Sequence, residues 1–271
     1  LVFGGRHDWI CPPEFSEALA RQGLSLFAPF RPGYGVSQKA DKPNRPDATA
    51  ELLIRFADAL RLDRFVTLSM SGGAFFGLGM HERYPDRVMG HVVSGGYFPI
   101  SREELDGHRL PHIRALFTST ADHPKAARFL VTCGYRLALQ SGPGRLLNSI
   151  FRRAGHGRDL VSESRAHQNL ASGVPIVCAQ GMDTYVEEIS MVASDMSRWA
   201  AGLTQAVTVV HGAQEAVFPI ELARVFCRRA QSARLVELSR HGYLAAFSDC
   251  ERVVEELAAI VPRTASRHPR P

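Results

Sequence analysis

The chain has 271 residues, enough for one large domain or two small ones. Its hydrophobic fraction of 45% suits a globular protein with a sizeable core, and no apolar run approaches the ~20 residues that span a membrane. The net charge of +5 is spread along the sequence, apart from a small cluster at Arg152, Arg153 and Arg158, and no nucleic-acid-binding motif accompanies it.

Leu1-Val2-Phe3 reads as the middle of a strand that ends at Gly4-Gly5, which implies residues upstream of Leu1. A helix is expected over 14–22, closed by Gly23. Residues 24–29 read as the next strand, followed by the turn-rich Arg31-Pro32-Gly33-Tyr34-Gly35. Asp47 is placed to cap a helix over 51–60, where Leu52, Leu53, Phe56 and Leu60 share one face. A strand over 65–68, a helix over 74–80 and a strand over 88–93 follow. Strand signals then nearly vanish from 97 to 203, where helical stretches at 125–139, 143–153 and 185–199 are separated by Gly and Pro. The alternation resumes with a strand at 206–210, a helix at 220–230, a strand at 234–238 and a last helix at 251–261. Residues 262–271 are basic and proline-containing and read as a flexible tail. Short apolar runs alternating with amphipathic helices imply an α/β fold: a doubly wound, mostly parallel sheet with a helical insertion.

The five cysteines, Cys11, Cys133, Cys178, Cys227 and Cys250, are odd in number and widely spaced. They form no C-x-x-C pair and no metal-ligand spacing, so no metal site is expected. Cys133, Cys178 and Cys227 sit among apolar residues, as reduced core cysteines do, and a reducing cytoplasm fits them best.

The most informative stretch is Ser69-Met70-Ser71-Gly72-Gly73, between an apolar strand and a helix. A serine at a strand-to-helix turn with small residues two positions away on each side is how a nucleophile elbow is built. The turn lifts the hydroxyl above the sheet edge, and the helix start offers free N–H groups to an anion. The pattern departs from G-x-S-x-G in opening with Ser69. Ser69 also has small flanks, but it keeps the strand register, whereas the glycines follow Ser71.

A serine nucleophile needs a histidine base, and the histidine needs a carboxylate to orient it. In a parallel sheet such groups gather at the carboxyl ends of the strands. The strand at 206–210 runs into His211-Gly212-Ala213-Gln214-Glu215, and that at 234–238 into Ser239-Arg240-His241. Glu215 and His241 therefore both follow strand ends. Asp249 lies near His241 in sequence but reads as the start of the last helix. His211 reads as a structural strand-end residue, and His7 as a loop residue that could line the site.

The order Ser71, Glu215, His241 resembles that of the α/β-hydrolase fold. Val209-Val210-His211-Gly212-x-x-Glu215-x-x-x-Pro219 is similar to that family's acid loop, with Glu where Asp is commoner. Phe27-Ala28-Pro29-x-Arg31-Pro32-Gly33-Tyr34-Gly35-x-Ser37 resembles the stretch after its fourth strand, and residues 81–88 resemble the end of its nucleophile helix. The resemblance covers 1–96 and 204–261 as the core. It implies that 97–203 is a helical cap over the active site and that the family's first two strands are missing. It also implies an oxyanion hole from the Gly72 and Arg6 backbone N–H groups, although Phe3 replaces the histidine usual before Gly4. The expected activity is hydrolysis of a carboxylic ester, lactone or thioester through an acyl-enzyme on Ser71, with a small-molecule acyl substrate and no cofactor. Dehalogenase chemistry would want an aspartate at position 71; amide, carbon–carbon and peroxidase chemistry stay open. Tyr97, Phe98, Phe117, Phe129, Tyr135 and Trp199 are available to line a pocket, though helical aromatics are more often core. The stretch Gln180-Gly181-x-Asp183 through Trp199-Ala200-x-Gly202-Leu203 resembles hydrolase modules that follow a winged-helix DNA-binding domain in bacterial regulators. That implies nucleic-acid contact only through an upstream domain, and an alternative role as a non-catalytic ligand-sensing module. The oligomeric state stays open, a homodimer included.

Overall fold

The computed structural model describes residues 2–3, 11, 13–41, 45–98, 101, 103–104, 111–142, 145, 171–173, 175–176, 179–180, 182–192, 202–215, 218–242 and 249–261. Five strands, β1 (Val2–Phe3), β2 (Phe65–Ser71), β3 (Val88–Gly96), β4 (Val207–Gly212) and β5 (Ala233–Leu238), lie side by side in that order and all run parallel. Apolar residues on both faces of the central strands explain the arrangement, because each face must be covered. On one face, Leu68, Met70, Val92 and Val210 meet Phe15, Ala18 and Leu19 of α1 (Pro13–Arg21) and Val253, Val254 and Leu257 of α8 (Cys250–Ile260). On the other, Val93, Val207 and Val209 meet Ala74, Phe75 and Leu78 of α3 (Gly73–Arg83) and Ala223 and Phe226 of α7 (Ile220–Arg229). The helix α2 (Pro46–Ala59) covers the outer side of α3 through Leu53, Ile54 and Met80.

Between β3 and β4 the described residues form α4 (Pro111–Asp122), α5 (Pro124–Ser141) and α6 (Asp183–Val192), which pack on one another. Tyr135, Tyr185 and Ile189 join the same apolar cluster as α3. No described helix is long and apolar enough to cross a membrane.

Several expectations are corrected. Residues 24–29 take up no strand among the described residues. Leu24 and Leu26 are half-buried against one apolar cluster and Phe27 against another, so the segment packs its side chains without a ladder. Asp47 is not a cap: α2 begins earlier, with Arg45 at the N-cap and Pro46 in the first turn, where its fixed φ and missing N–H suit a helix start. The expected helix at 125–139 extends to 124–141, and that at 185–199 is described only as α6. The helix at 143–153 falls outside the described residues apart from Arg145. Helix α4 had no counterpart among the helices expected. Cys133 and Cys227 are half-buried and not sealed in the core, and Phe129 is 68% exposed, so it lines no pocket. Cys178, Trp199 and the tail at 262–271 lie outside the described residues.

Candidate active site

Strand β2 points Ser69 toward Gly77 of α3, and Leu68 and Met70 into the apolar cluster on the opposite face. Ser71 is the last strand residue, is buried, and has φ +51°, the left-handed region that a serine seldom adopts. Such a conformation costs on the order of 1 kcal/mol and persists only where its surroundings impose it. Here the register shifts between Met70 and Ser71, which sets Ser71 opposite Gly96, and the Tyr97 N–H donates to the Ser71 carbonyl at 3.0 Å. A Cβ on Gly96 would overlap Val93 and stand 3.1 Å from the Ala74 Cβ, so only glycine lets β3 approach the turn this closely. Gly72 follows with φ −61° at the N-cap, and α3 starts at Gly73 with no side chain capping it. The start of a helix is the end that favours an anion.

Ser69 differs from Ser71 in burial and backbone. It is wholly buried, and its backbone lacks the positive φ of the turn. A Cβ on Gly77 of α3 would overlap both the Ser69 Oγ and the His91 ring. Gly77 therefore supplies the room that a serine at position 69 requires. Beneath α3, Thr67 Oγ1 lies 2.5 Å from His91 Nδ1, and the His81 and His91 rings are 6.4 Å apart. Burial lowers His81 to about 4 and His91 well below its ordinary value, so both imidazoles are neutral at pH 7.

Glu215 lies three residues beyond the end of β4 and is buried. Its N–H donates to the Gly212 carbonyl at 3.1 Å, and its Oε1 accepts the Phe218 N–H at 3.2 Å. His211 is fully buried and its Nε2 bonds the Phe218 carbonyl at 2.7 Å. Burial lowers its pKa, and the neighbouring Glu215 charge opposes that shift.

His241 lies three residues beyond β5, with its side chain 26% exposed. Its loop interlocks with that of Glu215: the Gln214 N–H donates to the His241 carbonyl at 3.0 Å, and the Ala213 N–H to Leu238 at 2.9 Å. A Cβ on Gly212 would overlap the His241 carbonyl, so that glycine permits the two loops to close. Asp249 is the N-cap of α8, as its sequence position suggests, with Oδ1 accepting the Arg252 N–H at 3.3 Å. Its Oδ2 also lies 3.9 Å from His241 Nε2, within ion-pair range of a protonated imidazole.

Ser71, Glu215 and His241 thus all stand at the carboxyl-terminal edge of one parallel sheet, where the sequence placed them. Gly72 is at the helix start, while Arg6 and His7 lie outside the described residues. Tyr97 follows β3 directly; its ring would be 3.8 Å from a Cβ on Gly72 and is centred 3.5 Å from that of Phe218. Phe117 of α4 meets both rings edge-on, at 5.8 and 5.9 Å. This aromatic wall joins the elbow, the Glu215 loop and the first described helix after β3. Among the described residues no group of three His, Cys, Asp or Glu side chains is arranged to hold a metal.

A family model of the alpha/beta hydrolase fold matches residues 2–246. An uncharacterized hydrolase of Bacillus subtilis (strain 168), YcgS, is 33% identical over 89 residues, covering 32% of this chain and 31% of that protein. The match therefore spans about a third of this relative's length. Among solved structures, a bromoperoxidase from Bacillus anthracis is 16% identical with a TM-score of 0.69, covering 96% of this chain and 90% of its own. The enol-lactonase from Burkholderia xenovorans LB400 is 13% identical with a TM-score of 0.65, covering 96% and 89%. These two likenesses establish the fold; their names span different reactions.

Proposed function

Because the chain belongs to the alpha/beta hydrolase fold family, we propose that it is a serine hydrolase that cleaves a carboxylic ester, lactone or thioester. The observation that carries this reading is Ser71, buried at a strand-to-helix turn with φ +51° and held there by Gly96. Ser71 Oγ attacks the substrate carbonyl while His241 removes its proton. His241 then returns that proton to the leaving alcohol or thiol, which departs as the tetrahedral intermediate collapses to an acyl-serine. A water deprotonated by His241 attacks the acyl-serine, and Ser71 recovers its proton as the acid leaves. Glu215 orients the imidazole and stabilises its charged form. The Gly72 and Arg6 N–H groups hold the oxyanion, each contributing on the order of 3 kcal/mol at the transition state.

In this reading residues 1–96 and 204–261 form the catalytic core and 97–203 the cap. The wall of Tyr97, Phe117 and Phe218 favours a small or medium apolar acyl group. The half-buried free thiols of Cys133, Cys227 and Cys250 suit a reducing cytoplasm. Any contact with nucleic acid would come through an upstream domain.

The test is hydrolysis of a p-nitrophenyl ester series from acetate to octanoate. Turnover is expected, with Glu215→Gln slowed about 10³-fold and Asp249→Asn by less than ~3-fold. The reverse order would make Asp249 the orienting carboxylate. Stoichiometric ligand binding without turnover of any ester would favour a sensing module.

A further inference from the structure

A charged cluster is buried where the loop at 24–41 meets α6. Arg31 and Glu188 are 3% and 8% exposed. The guanidinium donates twice to one carboxylate, from Nη2 to Oε2 at 2.8 Å and from Nε to Oε1 at 3.3 Å. The Tyr34 hydroxyl donates to the same Oε2 at 2.9 Å. Burial, and then the Glu188 charge, push the phenol's pKa well above its ordinary value, so Tyr34 stays a donor. The Arg31 guanidinium also stands 4.6 Å over the ring of Phe76, a fully buried residue of the nucleophile helix α3. One carboxylate from α6 is thereby fastened to the loop and, through Arg31, set against α3.

The backbone contact is equally close. At Gly33, φ +81°, a Cβ would overlap the Thr184 hydroxyl on α6. The Gln180 amide donates to the Gly35 and Ser37 carbonyls at 2.6 and 2.8 Å. Helix α6 also carries Tyr185 and Ile189 into the apolar cluster that holds Tyr97, Phe117 and Phe218.

A buried ion pair adds little net stability over apolar residues of the same volume, but its geometry has a single optimum. Apolar faces tolerate sliding; a forked pair with a third donor does not. Resting on the serine-hydrolase reading, we propose that Glu188 is a positioning residue. It pins the cap helix α6 onto the nucleophile helix through Arg31 and Tyr34, and so fixes the space for the acyl chain beside Ser71.

The test uses the full chain carrying Glu188→Gln, with the parent and Lys39→Ala, an exposed pair to the same helix, as references. Amide hydrogen exchange over 183–192 is expected to rise at least about tenfold in Glu188→Gln, with 73–83 unchanged. The kcat/KM ratio of octanoate to acetate ester should shift at least about tenfold, chiefly through KM. The rate at which a fluorophosphonate labels Ser71 should stay within ~3-fold of the parent. Unchanged exchange at 183–192, or an equal rise in both segments, would overturn the pinning role. An unchanged ester ratio would overturn its hold on the acyl space. Should Glu188→Gln not fold, the pair Arg31→Met/Glu188→Leu restores apolar packing; parental exchange and ester ratio in that variant would equally overturn the proposal. If the parent neither turns over esters nor takes the label, the hydrolase reading fails, while the exchange measurement still decides the pinning.

Discussion

Helix α3 meets β2 through small residues and meets α6 through a buried charge cluster. At the first contact, Gly77 admits Ser69 and His91, Gly96 admits the turn at Ser71, and no charged side chain takes part. At the second, Arg31 stacks over Phe76 of α3 and pairs with Glu188 of α6, which lies 157 residues from Arg31 in the sequence. The first contact is made of shape and lies within a few tens of residues. The second is made of charge and joins distant parts of the chain. Shape holds Ser71 in a strained conformation. Charge gives α6 one seat against the Arg31 loop and α3 without a large gain in stability.

The largest expected effect lies on the charged side. Glu188→Ala leaves the Arg31 guanidinium buried without its carboxylate and should lower the unfolding free energy by about 4 kcal/mol. Arg31→Met/Glu188→Leu should recover most of that loss in urea melts. A double variant as unstable as the single one would mean that the pair supplies stability and not only position. On the shape side, Gly96→Val should cost about 3 kcal/mol by overpacking against Val93 and Ala74. It should also abolish reaction at Ser71, which Glu188→Ala should leave largely intact. Equal damage to the nucleophile from both variants would erase the distinction.

The polar underside of α3 supplies a pH test of the same contact. His81 titrates at about 4 in the fold and near 6.5 when unfolded. Between those values the unfolded chain binds the extra proton, so stability is full above pH 6.5 and falls as pH drops toward 4. The loss through His81 should reach ~3 kcal/mol, with His91 acting in the same direction. His81→Gln should flatten the dependence of the urea midpoint between pH 7.5 and 4.5; an unchanged slope would place the acid-sensitive group elsewhere. The smallest effect belongs to the exposed Lys39–Asp183 pair at 3.3 Å. Lys39→Ala should change stability by less than ~0.5 kcal/mol, since solvent screens it and Arg128 also pairs with Asp183.

What could be read from the sequence follows the same division. The elbow was legible because strand, serine and glycines are contiguous, and Glu215 and His241 because each follows an apolar strand directly. The α3 underside was only half legible: the departure at Ser69 was visible, but not that Gly77 compensates it one helix away. Residues 24–29 were misread because a short apolar stretch resembles a strand, while pairing depends on a neighbouring backbone that local sequence does not report. Asp47 was misread because a better start, Pro46, lies one residue earlier. Glu188 carried no local signal, since a glutamate on a helix reads as solvated until Arg31 and Tyr34 are seen around it. Asp249 had one, its place before the last helix, but its 3.9 Å approach to His241 is a tertiary distance that local sequence does not report.

Covalent labelling decides whether Ser71 is an activated nucleophile. The protein would be treated with a fluorophosphonate, and the adduct mapped by peptide mass spectrometry in the parent, Ser69→Ala and Ser71→Ala. A single adduct on Ser71, kept in Ser69→Ala and lost in Ser71→Ala, is the expected result. An adduct on another residue, or none in the folded parent, would contradict the account.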